Sequence, residues 1–245
     1  MKKTHVYAVA ALALCAAQAA LAGPAAYVKS PIVEYGEREL ELKWGRAKAG
    51  DGTHEHQTII GFGAGIAPWW FTELNAGFEG GTEKSTAYEA LEWENVLQFT
   101  ETGKYPIDAG FLFEIERPRD HAEGWELKYG PLLQTEFGRV QLNGNALFER
   151  HVHAEEPSPT ELHYEWQAKY RWRPAFEFGF QGFGELGKWD DWNAHNEQPH
   201  LLGPAVFGRL HVGTRQELKY DAAFLVAASP AAPDRTLRFR VEYEF

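Results

Sequence analysis

The chain is almost devoid of cysteine, and its one example lies close to the N-terminus, at Cys15. The residues around it predict a secretory signal peptide over residues 1–22, with a basic start, an apolar stretch from Val6 to Ala17 and the cleavage-site residues Ala20-Leu21-Ala22. Because Cys15 lies within this peptide, we expect the mature chain to have no thiol. A disulfide framework, a cysteine nucleophile and a thiolate metal site are therefore excluded.

The sequence is also poor in basic residues and in long apolar runs. Its 24 basic residues are outnumbered by 35 acidic ones, and without Lys2 and Lys3 the 22 remaining bases leave a net charge of −13. With no basic run, the chain lacks the positively charged surface of a protein that binds a nucleic-acid partner. A mean hydropathy of −0.44, with no apolar run of about eighteen residues beyond the N-terminus, excludes a bundle of membrane helices.

Strict alternation of apolar and polar residues is what the sequence has in abundance. From Glu161 to Trp172 it reads E-L-H-Y-E-W-Q-A-K-Y-R-W, with every even position apolar and every odd one polar. A period of two is typical of a β-strand and not of a helix. The same template predicts twelve strands and no helix, near residues 32–46, 57–66, 70–79, 88–99, 107–117, 125–136, 139–150, 161–172, 175–186, 201–210, 217–228 and 236–245.

The connections and the strand faces distinguish two kinds of β-protein. Connections after odd strands are mostly longer than those after even strands, as in an up-and-down transmembrane barrel with both ends at one rim. A soluble β-sandwich or lipocalin-like barrel is the alternative, but its interior would be apolar, whereas here one face is crowded with charged and amide side chains. The apolar face carries aromatics at predicted strand ends, as membrane interfaces do: Trp44, Trp70, Phe99, Phe137, Trp172 and Phe245.

The last strand, L-R-F-R-V-E-Y-E-F, has aromatic or apolar residues at every second position and ends in phenylalanine. With it, residues 32–245 resemble the β-barrel proteins of the outer membrane of Gram-negative bacteria. The resemblance implies a bacterial outer-membrane location, lipid contact and an assembly signal for the barrel-assembly machinery at Phe239, Val241, Tyr243 and Phe245. Twelve-stranded members include channels and a phospholipase, so the fold does not decide the function. Residues 23–31 are interpreted as a periplasmic N-terminal segment or a plug.

Directing the polar face inward predicts a lumen with acids on strands three to five and most of the bases on strands eight and ten to twelve. The lumen-lining candidates are Glu73, Glu92, Glu94, Glu114, Glu116, Arg209, Lys219, Arg238 and Arg240. A turn centred near Gly103 would place Glu92 opposite Glu114, and such a like-charged pair needs an offsetting partner. Twelve tilted strands leave a passage of at most about 10 Å, enough for small solutes.

Other candidate sites are sparse. The four serines, Ser30, Ser85, Ser158 and Ser229, fall in loops or the N-terminal segment and form no nucleophile motif, so we expect no enzyme and no cofactor. A loop metal site is a candidate at His54, His56, His151 and His153. A ligand-binding loop is a candidate at Trp189, Asp190, Asp191 and Trp192, whose tryptophans also suit a lipid interface.

These observations favour a narrow, cation-favouring, porin-like channel for small polar or aromatic solutes. Two alternatives stay open: a non-conducting structural, adhesive or metal-binding barrel, in which the lumen charges pair with one another, and then an outer-membrane lipid hydrolase. The sequence leaves the solute and the oligomeric state undefined.

Overall fold

Twelve antiparallel strands form a closed barrel in the computed structural model, which describes residues 23–245. The predicted signal peptide lies outside the described residues. The prediction of a closed twelve-stranded antiparallel barrel is confirmed. The strands are β1 Arg38–Lys48, β2 His54–Ala67, β3 Trp70–Gly81, β4 Ala87–Gln98, β5 Asp108–Pro118, β6 Trp125–Phe137, β7 Val140–Val152, β8 Glu161–Arg173, β9 Phe176–Lys188, β10 His200–His211, β11 Glu217–Ala227 and β12 Arg235–Glu244.

Pairing between the first and last strands closes the sheet. β1 and β12 run antiparallel from the Glu39–Glu244 pair to the Lys48–Arg235 pair. Each strand therefore has a hydrogen-bonded neighbour on both edges, and the ring follows chain order. Closure of this kind satisfies the backbone polar groups that a lipid environment would leave without partners.

The two ends of the barrel differ in their connections. We call the end with residues 68–69, 99–107, 138–139, 174–175 and 212–216 the turn rim; β1 begins and β12 ends there. The opposite end, with residues 49–53, 82–86, 119–124, 153–160, 189–199 and 228–234, is the loop rim. In outer-membrane barrels the short turns face the periplasm, which gives the loop rim an external position. Within residues 23–245, no helix is long and apolar enough to cross a membrane.

Large apolar side chains cover the outer face, where they would contact lipid. Aromatic residues are prominent at both rims. At the turn rim, Phe99 stacks with Phe111 and Trp172 packs edge-on against Phe176. Exposed aromatics near the loop rim are Tyr88, Trp125, Trp189 and Trp192. These two aromatic girdles mark the interfaces of a bilayer with water.

The first strand departs most from the predicted boundaries, because it begins at Arg38 rather than near residue 32. Val33 instead packs inside the barrel against Leu112 and Leu132, and Gly36 turns the chain into β1 with a φ of 86°. Trp44, predicted at a strand end, consequently lies in the middle of β1, 5.5 Å from the ring centre of Phe239.

If the outward face contacts lipid, a charged residue on it should destabilise the barrel more at the middle of the bilayer than near its surface. Leu42 lies near the middle of β1 on the outer face, whereas Leu237 lies near the loop rim, paired with Arg46. We expect Leu42→Arg to lower the free energy of unfolding by about 2–4 kcal/mol, and the control Leu237→Arg by about 1 kcal/mol or less. Urea unfolding in lipid vesicles measures both values. Equal costs for the two variants would contradict the assignment of this face to lipid.

Candidate functional site in the barrel lumen

Residues 23–37, here called the lumen segment, run inside the barrel from the loop rim to the turn rim. The backbone N–H of Ala25 donates to Oε1 of Gln57, near the loop-rim end of β2, at 3.4 Å. Farther along, the N–H of Val33 donates to Oε1 of Gln98, the last residue of β4, at 2.7 Å. The lumen segment therefore extends along the length of the barrel before Arg38 enters the wall.

Two glycines of the wall allow the lumen segment to approach the backbone. A Cβ atom at Gly45 of β1 would lie 1.9 Å from the carbonyl oxygen of Pro24, and one at Gly65 of β2 would lie 2.0 Å from that of Glu34. No other residue fits at such positions without displacing the lumen segment. The two glycines of β1 and β2 thus leave the space that the backbone of residues 24 and 34 occupies.

Lys29 and Tyr27 connect the lumen segment to the charged wall. The ammonium group of Lys29 forms a buried ion pair with Glu94 and donates a hydrogen bond of 2.9 Å to the hydroxyl of Tyr27. The ring of Tyr27 also lies against two wall cations, with Lys43 Nζ 4.4 Å and the Arg240 guanidinium 4.3 Å from its centre. Contacts of this kind favour the cation over an aromatic face.

The wall cations around Tyr27 are themselves paired with carboxylates. Lys43 Nζ lies 2.6 Å from Glu41 and 3.8 Å from Glu73. Arg240 lies 2.7 Å from Asp221 and 3.3 Å from Glu41. The centre of the lumen is therefore a continuous network of alternating charges, and Tyr27 is in contact with it.

Apolar contacts hold the lumen segment on two sides of the barrel. Val28 packs into a buried cluster with Phe183, Ala205, Phe207, Ala223 and Leu225 of β9 to β11. Val33 packs into a second cluster with Val96, Leu112, Leu132 and Leu147 of β4 to β7. The lumen thus has apolar patches as well as charges, and each patch receives a valine of the lumen segment.

The residues predicted to line the lumen share the inward phase of their strands. Glu73, Glu94, Glu114 and Arg238 are buried, whereas Arg209 is exposed near the turn rim. The remaining members are intermediate in exposure: Glu92, Glu116, Lys219 and Arg240. The bases among them form ion pairs with nearby carboxylates. Lys219 contacts Glu37, Glu242 and Glu244, and Arg238 lies 3.7 Å from Asp221.

The predicted register between β4 and β5 is wrong by two residues. Glu94, not Glu92, lies opposite Glu114, and Glu92 lies opposite Glu116. The pairing of the two strands is symmetric about Lys104 rather than Gly103. The like-charged pairs are offset by Lys29 at Glu94 and by Lys128, whose Nζ is 3.5 Å from Glu114.

Sequence reasoning missed four residues of the lumen: Tyr27, Lys29, Lys43 and Lys128. Lys43 and Lys128 have the inward phase in strands that were predicted, so the alternation alone could have identified them. Tyr27 and Lys29 precede the first strand, where no periodicity indicates an orientation. The acidic side of the predicted lumen is consequently less negative than expected, because these three lysines lie within it.

The structure separates the four histidines considered for a loop metal site. His54 and His56 begin β2 and hydrogen-bond to Thr82 and Thr86. His153 follows β7 with a φ of 58°. Among the described residues, the groups that bring three or more candidate ligands together are Glu126 with Glu149 and His151, Glu37 with Glu39, Glu242 and Glu244, and Glu92 with Glu94 and Glu114.

The loop after β9 places its two tryptophans on the outer side. Trp189 packs edge-on against Phe148 of β7, with ring centres 6.4 Å apart, and Trp192 Nε1 donates to the carbonyl of Trp189 at 3.2 Å. Asp190 pairs with Lys188 at 3.0 Å, and Asp191 is exposed. Phe148 has the outward phase of β7, so this arrangement suits an anchor at the lipid interface.

Two of the serines have partners that are not those of a nucleophile. Ser30 lies in the lumen segment, and its hydroxyl donates to Oε1 of Gln134 at 3.3 Å. Ser229 donates to the carbonyl of Gln198 and accepts from the backbone N–H of His200. In both residues the hydroxyl holds a loop or segment in place.

No protein-family model matches the chain, and no curated protein matches it. Several solved structures do. The COG4313 outer membrane channel from Pseudomonas putida F1 is 10% identical, with a TM-score of 0.60 over 87% of this chain and 97% of that chain. The NanC porin is 10% identical, with a TM-score of 0.54 over 84% and 98%. The translocator domain of the autotransporter NalP from Neisseria meningitidis is 10% identical, with a TM-score of 0.51 over 86% and 88%.

At this identity the likeness concerns the fold. The three structures share a barrel architecture with this chain over nearly their full lengths. Together with the closed twelve-stranded sheet, the apolar outer face and the aromatic girdles, they identify the chain as a transmembrane β-barrel of the bacterial outer membrane.

Proposed function

We propose that the protein is a narrow outer-membrane channel for small polar solutes, which the lumen segment keeps closed until it is displaced. The observation that carries this proposal is how the lumen segment is held. It pairs with the wall through side chains such as Lys29, Ser30 and Val33. Contacts of this type break and re-form without unfolding the sheet.

The polar wall suits a channel. Once the lumen segment is displaced, buried carboxylates such as Glu73, Glu94 and Glu114 would face water and solute, which relieves the cost of burying their charge. Two of the structurally similar proteins are a channel and a porin by name. Twelve strands enclose room for a small solute once the lumen segment is absent.

A preference for cations follows from the charges that displacement would uncover. Removal of Lys29 deprives Glu94 of its ion-pair partner, and Glu92 and Glu114 lie in the same acidic group. A pore lined by carboxylates attracts cations and excludes anions. We therefore propose that the open state favours cationic or neutral polar solutes, with aromatic solutes accommodated by the patch around Phe183 and Phe207.

A second function, a permanently closed barrel with a structural or surface-binding role, is favoured by one observation. Leu112 and Leu132 are completely buried in the cluster that receives Val33. Packing as tight as this is typical of a core, and a pore that opens must expose it. Conductance separates the two functions.

The C-terminal strand retains its proposed role in assembly. Phe239, Tyr243 and Phe245 point to the outer face and are exposed, and the backbone N–H of Phe245 donates to the carbonyl of Arg38 at 2.9 Å. We propose that these side chains, with Val241, are recognised by the barrel-assembly machinery before β1 closes against β12.

Closure by the lumen segment predicts a difference in conductance. In planar bilayers, the mature protein is expected to be closed for most of the time, and a variant without residues 24–36 is expected to conduct in discrete steps. Lys29→Met removes the ion pair with Glu94 and the hydrogen bond to Tyr27, so its openings should be at least about tenfold more frequent. The matched control is Lys104→Met, which removes an ion pair with Glu101 in the exposed connection 99–107.

Lys104→Met should behave as the parent protein. Circular dichroism and resistance to protease after insertion verify that each variant is folded. Absence of conductance in the folded variant without residues 24–36 would favour the permanently closed barrel.

The acidic group predicts the ion selectivity of the open state. In the variant without residues 24–36, the double substitution Glu94→Gln and Glu114→Gln removes two facing carboxylates and should move the reversal potential in a salt gradient towards zero. Glu101→Gln, in the exposed connection, is the control and should leave it unchanged. An unchanged reversal potential in the double variant would contradict a pore lined by these carboxylates.

A further inference from the structure

A group of inward side chains at the loop-rim end of β6 and β7 has the composition of a metal site. Glu126, Glu149 and His151 each place one ligand atom within 4.8 Å of the others. The Nε2 atom of His151 lies 3.7 Å from Oε2 of Glu126, its register partner. The other ring nitrogen, Nδ1, lies 3.1 Å from the carbonyl oxygen of Glu123. A hydrogen bond from Nδ1 to a carbonyl leaves the Nε2 lone pair free and fixes its direction, as in metal-binding histidines.

A second histidine, buried and without a hydrogen-bond partner, lies beside this group and approaches it at Glu149. His163 of β8 is only 3% exposed, and neither of its ring nitrogens has a hydrogen-bond partner. Its Nε2 atom lies 3.8 Å from Oε2 of Glu149. Buried polar groups are normally hydrogen-bonded, and one that is not requires an explanation such as an ion. A ligand between His163 and Glu149 supplies it.

The local charge also leaves room for a cation. Lys128 lies 3.1 Å from Glu126, 3.2 Å from Glu149 and 3.5 Å from Glu114. Glu116 lies opposite Glu126 on the neighbouring strand. When all four carboxylates are ionised, they and the one ammonium group carry a net charge of −3 in a confined part of the lumen, and like charges opposite one another destabilise a sheet. A dication reduces this excess to one.

We propose that Glu126, Glu149, His151 and His163 bind one divalent transition-metal ion of the zinc class. Two imidazoles and two carboxylates suit zinc, copper or nickel, whereas calcium and magnesium prefer oxygen ligands alone. Tetrahedral zinc with bonds of about 2.0–2.2 Å places its ligand atoms about 3.4 Å apart. The separations of 3.7 and 3.8 Å are close to this value. His163 approaches the other three residues only at Glu149, so its ring has to move further inward to complete the tetrahedron.

Binding would also reposition Lys128. Its ammonium group now contacts both carboxylates of the site, and the ion would displace it towards Glu114, which it already approaches. Lys128 is therefore a competitor of the metal. Its removal should strengthen binding, an effect that scattered surface histidines would not produce. The site does not require displacement of the lumen segment, because it involves neither Lys29 nor any other residue of that segment, so metal binding can be measured in the closed barrel.

The test uses the mature barrel in detergent micelles, with Zn²⁺ added alone and followed by calorimetry, and with Co²⁺ followed by its visible absorption. One ion should bind per barrel, and Co²⁺ should give the intense absorption of a four-coordinate site. His151→Ala and His163→Ala should each weaken Zn²⁺ binding by at least about tenfold. Lys128→Met should strengthen it by about tenfold or more, because a like charge within about 4 Å is removed.

The matched control is His153→Ala, two residues beyond His151 and outside the group, and it should bind as the parent does. Circular dichroism checks that each variant retains the barrel. The proposal is overturned if the parent binds no Zn²⁺ at micromolar concentration. It is equally overturned if His163→Ala or Lys128→Met binds like the parent, since adsorption to exposed histidines would then account for the signal.

Discussion

Lipid offers no hydrogen bonds to a protein backbone, and the rest of this structure depends on that constraint. A sheet can enter the bilayer only if its two edge strands meet, and here β1 and β12 pair from Glu39 to Lys48. Closure also fixes the phase of every strand, because a shift of one residue would turn all of its side chains to the opposite face. The polar face is therefore enclosed by necessity, whatever function it serves.

Enclosure of the polar face brings many charged side chains together inside the barrel. Carboxylates on β3 to β7 are buried close to one another, so cations have to lie among them. The wall supplies Lys43 and Lys128, and the lumen segment supplies Lys29. The same network then determines what the lumen can do, since each of these lysines satisfies carboxylates that would otherwise attract a cation from solution.

The alternation of residues was sufficient to predict the barrel, because inward and outward phases are properties of each strand by itself. Register was not predictable to the same accuracy. The Glu94–Glu114 pairing depends on the geometry of the connection 99–107, in which the side chain of Asp108 accepts a hydrogen bond from the backbone of Gly103. A difference of one residue in the centre of that connection moves every pair on β4 and β5 by two.

The sequence offered a plug only as one of two interpretations of residues 23–31, and the contacts of the lumen segment were beyond prediction for a different reason. Its position depends on contacts between residues far apart in sequence, such as the hydrogen bond from Asn145 to the carbonyl of Lys29. Such contacts leave no local periodicity in the sequence, and the apolar residues Ile32 and Val33 were included in the predicted first strand. The approach of His163 to Glu149 is of the same kind, since it arises from the register of β7 and β8.

The strength with which the lumen segment is held bears on whether it can act as a gate. Burial of Val28 and Val33 contributes about 1.5–3 kcal/mol each. The ion pair of Lys29 with Glu94 adds less than its proximity suggests, because both groups lose their hydration. The two valines together contribute about 3–6 kcal/mol, which is comparable to the roughly 5.5 kcal/mol that moves a two-state equilibrium from 1:99 to 99:1.

A solute that binds only the open lumen could supply a free energy of this size. The lumen segment is tethered at Arg38, so its high local concentration returns it to the lumen when the solute leaves. Closure of this strength is compatible with the gate proposed above.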